Sequence, residues 1–126
     1  MGKAKEKLAA LLYFQYIGNM EIYEASDALA ALAHETRLEI FRHLVRQGPQ
    51  GVAVGSLAER FELPNATLSF HLKNLKQAGL ILVRRDGRSL FYSPNFEKIN
   101  AVLSFLVEDC CQGDFEPGSC QQGECQ

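Results

Sequence analysis

Four cysteines, Cys110, Cys111, Cys120 and Cys125, all fall within the last seventeen residues of this 126-residue chain. Thiolates are soft ligands, so a cluster of them selects soft metals and metalloids over hard cations. Three in a pyramid suit trivalent arsenic or antimony, whose lone pair fills the fourth direction. Four in a tetrahedron suit zinc, but zinc motifs normally separate paired cysteines by two to four residues, and Cys110-Cys111 are adjacent. Oxidation is a third chemistry open to exposed thiols. A static disulfide staple fits least well, because these cysteines lie outside the core such a staple would have to hold. By residue type the tail can bind a soft metalloid or another soft metal, or react with an oxidant, with Cys110, Cys111 and Cys120 the first candidate ligands and Cys125 the alternate third.

A second set of residues suits nucleic acid. Asn65, Thr67, Ser69, Asn74, Lys73 and Lys76 lie on one segment, and Arg84, Arg85 and Arg88 follow shortly after. Hydroxyls and amides meet base edges, lysines neutralise phosphates, and arginines on a hairpin suit backbone or minor-groove contact. The net charge of −2, from 13 basic and 15 acidic residues, hides this concentration, because residues 93–126 hold one lysine against six acids. Surface fields are local and screened within about 8–10 Å at physiological salt, so a basic middle and an acidic tail can meet different partners. The bland alternative is an ordinary solvated helix with a charged hairpin tip protecting a sheet edge. His71 is counted with the DNA candidates, although its place beside Leu72 turns it inward, where a histidine more often serves structure. His34 and His43 read as a local cap and a surface residue. No Ser/His/Asp or Cys/His nucleophile arrangement and no phosphate-cradling glycine loop is readable, so an enzyme is not expected.

The elements that must position these residues are legible from periodicity. A helix is predicted over about 24–33, and a second after His34-Glu35-Thr36, with Leu38, Phe41, Leu44 and Val45 at helical spacing and Gly48-Pro49 as its stop. A short third helix covers about 56–61. Leu63-Pro64-Asn65 forms a tight break, and a fourth helix over about 66–78 has Leu68, Leu72 and Leu75 inward and Gly79 as its left-handed cap. Two helices joined by such a break are a helix-turn-helix. Two β-prone runs then flank Asp86-Gly87, the pair that satisfies a type I′ hairpin turn. A last helix over about 96–111 carries Phe96, Ile99, Leu103 and Leu106 as a stripe that Cys110 continues. The predicted fold is mainly α with a small β-hairpin: a winged helix-turn-helix.

Three segments follow. Residues 1–19 form an N-terminal extension, basic then largely apolar. Gln15 and two tyrosines interrupt its apolar run, so a helix docking on the body or a partner chain is favoured over a secretory signal, with Met20 an alternative start. Residues 20–111 form the DNA-binding and dimerisation domain, and 112–126 a flexible Cys-containing tail. No apolar run reaches the eighteen residues of a membrane span, and the expected location is cytoplasmic.

Ala33-His34-Glu35-Thr36-Arg37-Leu38-Glu39-Ile40, Leu57-Ala58-Glu59-Arg60-Phe61 and Leu68 through Leu80, with Asp86-Gly87-Arg88 and Phe91-Tyr92 in the hairpin, resemble the ArsR/SmtB family of bacterial metal-sensing repressors over about residues 24–108. The resemblance implies a winged-helix homodimer, paired through its first and last helices, that blocks transcription in the apo form and leaves double-stranded operator DNA when an inducer binds. The family's arsenic sensor places Cys-Val-Cys-Asp-Leu-Cys at the start of its third helix, where this chain has Ala53-Val54-Gly55-Ser56-Leu57-Ala58. Its zinc sensors use Asp and His pairs on the last helix, and residues 96–109 contain no histidine. Adjacent Cys110-Cys111 resemble the C-terminal cysteines of an arsenic-responsive subgroup, which implies As(III) or Sb(III) as inducer and no cofactor when repressing. The alternatives are a regulator answering another soft metal or thiol oxidation, and a thiol-rich metal-binding protein that does not read DNA.

Overall fold

A computed structural model describes residues 20–108. The N-terminal extension, the tail and all four cysteines lie outside the described residues, as do the expectations placed on them. Five helices and three strands follow in order: α1 (Ile22–Leu32), α2 (Glu35–Gln47), β1 (Val52–Ala53), α3 (Val54–Phe61), α4 (Asn65–Gln77), β2 (Ile81–Asp86), β3 (Ser89–Pro94) and α5 (Phe96–Leu106). The sheet is antiparallel with order β1-β3-β2. The mainly helical winged-helix fold expected from the sequence is what forms.

One apolar core joins the elements. Ile40, Leu44, Leu57, Leu68, Leu72, Leu75, Leu80 and Val102 are fully buried and belong to a single cluster. Leu80 lies between α4 and β2, and the others come from the inward faces of helices α2 to α5, which is how segments with an apolar stripe fold onto one another. Helix starts are fixed locally. His34 Nδ1 accepts from the Thr36 N–H at 3.2 Å at the head of α2. Asn95 Oδ1 accepts from the Lys98 N–H at 3.3 Å at the head of α5.

Four expectations are corrected. In α2 the buried face is Ile40, Phe41 and Leu44, while Leu38 and Val45 are exposed, because the helix packs on the core through a narrower arc than its apolar residues span. The hairpin loop is Gly87-Arg88, since Asp86 pairs with Ser89 inside the ladder. Gly87 has φ +63° and Arg88 has no positive φ, so the loop has the signature of a type II′ turn and not the predicted I′. Helix α5 ends at Leu106, short of Cys111, where the Glu108 N–H bonds the Phe105 carbonyl three residues back in a closing turn. Its buried residues are the small Ala101 and Val102, whereas Phe96, Leu103 and Leu106 of the predicted stripe are exposed. The two-residue strand β1 was not foreseen.

Candidate nucleic-acid interface

Helices α3 and α4 are joined through Glu62, Leu63 and Pro64. Glu62 caps α3 in the left-handed conformation with φ 50°, which bends the chain sharply before α4 begins. Leu68, His71, Leu72 and Leu75 bury one side of α4, so the rest of the cylinder is presented outward. At 3.6 residues per turn, Asn65, Ser69, Lys73 and Lys76 fall on one exposed stripe. Ala66, Phe70 and Gln77 form the exposed crest beside it, and Thr67 is exposed on the far flank. Asn74 is half-buried, and its Nδ2 donates to the Phe70 carbonyl at 2.9 Å.

His71 departs from the set of candidate DNA contacts. It is only 6% exposed, so a direct base contact would require the helix to turn about its axis. Its ring lies 4.8 Å from that of His34, and Arg37 Nη1 lies 3.4 Å from His71 Nδ1. A guanidinium has no acceptor, so Nδ1 must be the accepting nitrogen and the ring proton sits on Nε2. Arg37 Nε also donates to the Ala31 carbonyl at 2.7 Å, closing α1 against the head of α2. Burial, then the neighbouring His34 and Arg37, hold the His71 pKa below that of a free histidine.

On the wing, Arg84 and Arg85 point to opposite faces, since successive strand residues alternate. Arg84 opposes Phe91 and Arg85 opposes Leu90. Arg84 is tied down three ways: its guanidinium lies 4.8 Å from the Phe91 ring centre, Nη2 donates to the Gln50 carbonyl at 3.1 Å, and Nη1 is 3.6 Å from Asp86 Oδ2. Arg85 and Arg88 are exposed, and no ion pair is recorded for either among the described residues. The structure therefore separates one positioning arginine from two that remain available to a polyanion.

Two features escaped the sequence reading. Phe70 stands 60% exposed at the middle of the outward crest, and only a full helical wheel of α4 would have found it. Arg42, Arg46 and Arg60 gather with Glu39 and His43 around a hollow of about 270 Å³ at the α2–α3 junction. There burial first, and then Arg60 and Arg46, lower the His43 pKa. Arg42 and Arg46 lie about one turn apart on α2 while Arg60 comes from α3, so no single charge run marked the group. Among the described residues no group of three or more His, Cys, Asp or Glu side chains could hold a metal ion. No helix there is long and apolar enough to cross a membrane.

The polar, cationic outward side of α4 beside a basic hairpin defines a winged-helix protein built to meet nucleic acid. Comparison with known proteins narrows the class. A helix-turn-helix domain model matches residues 32–84. The chain is 41% identical over 81 residues to the arsenical resistance operon repressor of Bacillus subtilis, covering 64% of this chain and 73% of that protein. It is 33% identical over 86 residues to the transcriptional activator HlyU of Vibrio cholerae, covering 68% and 77%. Among solved structures, an ArsR-like transcriptional regulator from Rhodococcus sp. RHA1 superposes with a TM-score of 0.59 at 30% identity, over 67% of this chain and 76% of that one. The chain belongs to the ArsR family of winged-helix, DNA-binding transcriptional regulators.

Proposed function

We propose that this protein is a homodimeric repressor that holds operator DNA in the apo form and releases it when As(III) or Sb(III) binds C-terminal thiolates. The observation that carries the DNA half is the exposed array on α4 with Arg85 and Arg88 beside it. Two such helices, one per protomer, meet half-sites about one DNA turn apart, the spacing a two-fold dimer imposes. Lysines and arginines supply salt-dependent affinity, and the N-terminal half of α4 supplies base contacts.

The sensing half rests on the chain's own thiols. The described residues offer no alternative metal cluster, and the four cysteines begin four positions after α5 ends. Three soft thiolates match a trivalent metalloid, and one relative is named for arsenical resistance. Binding at Cys110, Cys111 and Cys120 ties the tail to the end of α5 and favours a dimer geometry whose reading helices no longer match the groove. A 100-fold loss of operator affinity needs a coupling of about 2.7 kcal/mol, within the usual allosteric range.

The test is an operator-release titration with arsenite, antimonite, zinc, cadmium and an oxidant, on the wild type and on Cys→Ser variants at all four positions. Release by arsenite that is lost in Cys110→Ser and Cys111→Ser supports the reading. Unchanged release in those two variants overturns the site, and the absence of salt-sensitive duplex binding by the apo protein overturns the repressor reading altogether. Cys120→Ser against Cys125→Ser identifies the third ligand.

A further inference from the structure

Phe70 is the one large apolar side chain on the outward side of α4, and at 60% exposure most of its ring faces solvent. Its recorded aromatic neighbour is the His71 ring, met edge-on at 5.7 Å. One turn earlier stands Ala66, whose methyl leaves the ring open, and Lys73 and Gln77 follow on the same side. The other large apolar residues exposed among the described residues lie on α1, α2, β2 and α5 or just past its end, so Phe70 is the one that α4 presents. A phenyl ring in this position makes no hydrogen bond to a base edge or phosphate. The apolar group that the floor of the major groove offers is the 5-methyl of thymine. The cationic surroundings, Lys73 and Lys76 on the helix with Arg85 and Arg88 on the wing, match a duplex rather than an apolar protein partner.

We infer that Phe70 is a specificity-determining residue that packs on the 5-methyl group of a thymine at one fixed position in each half-site. The inference rests on the proposed DNA reading and names what the crest of the reading helix recognises. The ring is held by only two side-chain torsions, so it presents a defined apolar face at low ordering cost. Ala66 keeps the helix backbone near the base edges beside it, while Ser69 and Lys73 flank the ring with polar contacts.

The test begins with selection of duplexes from a random pool by the wild-type protein. Each thymine of the selected site is then replaced in turn by deoxyuridine, which keeps every hydrogen-bonding group and removes only the methyl. Loss of one buried methyl is expected to weaken binding about fourfold at one thymine per half-site and to leave the others unaffected. Phe70→Ala should bind with unchanged salt dependence, melt like the wild type and ignore the same replacement. If no thymine responds to loss of its methyl, or if the response persists in Phe70→Ala, the inference is overturned while the DNA reading stands. If no duplex is enriched at all, the DNA reading itself falls.

Discussion

Arg37 and His71 meet where α2 and α4 close on each other, and their contact has a definite pH signature. The guanidinium donates to Nδ1, so protonating that nitrogen both removes the acceptor and sets two cations together. The folded pKa of His71 lies below the ordinary 6.5, with burial the leading cause. The native state therefore binds fewer protons than the unfolded chain between the two values. Its stabilising contribution is complete above pH 6.5 and falls away as the pH drops from there towards the folded pKa. Urea unfolding followed from pH 7.5 to 5 should show falling stability, with a shallower fall in His71→Asn, which keeps an acceptor near the Nδ1 place without a titrating ring. An identical slope in that variant would remove His71 from the account, and His43, lowered in the same direction, supplies the remainder. The cations of the interface divide by the same kind of detail. Arg85→Ala or Lys73→Ala should weaken duplex binding and reduce the slope of log affinity against log salt by about one. Arg84→Ala should reduce it less, because its guanidinium already serves Gln50, Asp86 and Phe91.

Asn95 links the reading helix to the last helix. Its Nδ2 donates to the Gly79 carbonyl at 2.9 Å, its Oδ1 caps α5, and its own N–H bonds the Leu80 carbonyl at 2.8 Å. Gly79, at φ +77°, lets α4 stop and the chain turn into β2 with that carbonyl aimed at Asn95. Asn95→Ala should lower stability by about 1–2 kcal/mol in urea unfolding, from the lost cap and the lost carbonyl partner; a change under a few tenths would mean the two helices are held by packing alone. Elements of this kind were partly legible in advance. Leu68, Leu72 and Leu75 marked the buried side of α4, and the β-prone runs around Gly87 marked the wing, because period and turn chemistry are local properties. Strand β1 was hidden because two residues carry no period, and its pairing with Tyr92 and Phe91 is set by tertiary packing. Glu62 was hidden because nothing in a glutamate announces a left-handed cap. The α4 candidates were legible as a polar set, but Phe70 was passed over: apolar residues in a helix are read as core until the whole wheel is drawn.

At the scale of the molecule, α1 and α5 share an unusual division of residues. Inside, they bury Ala25, Ala28, Ala31, Ala101 and Val102; outside, they leave Ile22, Tyr23, Leu103 and Leu106 exposed, Leu103 and Leu106 each by 54%. A helix that packs its small residues inward and its large ones outward suits a second surface, since burial of those large side chains would stabilise by about 1.5–3 kcal/mol each. Between the two helices runs an apolar groove of about 420 Å³ lined by Ile22, Leu29, Phe105 and Leu106. This surface suits the two-fold pairing proposed above, in which the same patch meets itself. Leu103→Glu places a charge on the exposed side of α5 without touching the core of the single chain. The expected result is a folded protein that sediments as a monomer and binds a two-half-site duplex about 10²- to 10⁴-fold more weakly, as the second half-site loses its tethered reader. A one-half-site duplex should be bound by variant and wild type alike, which separates loss of pairing from damage to the reading helix. A Leu103→Glu protein that still sediments as a dimer would move the pairing surface elsewhere on the molecule.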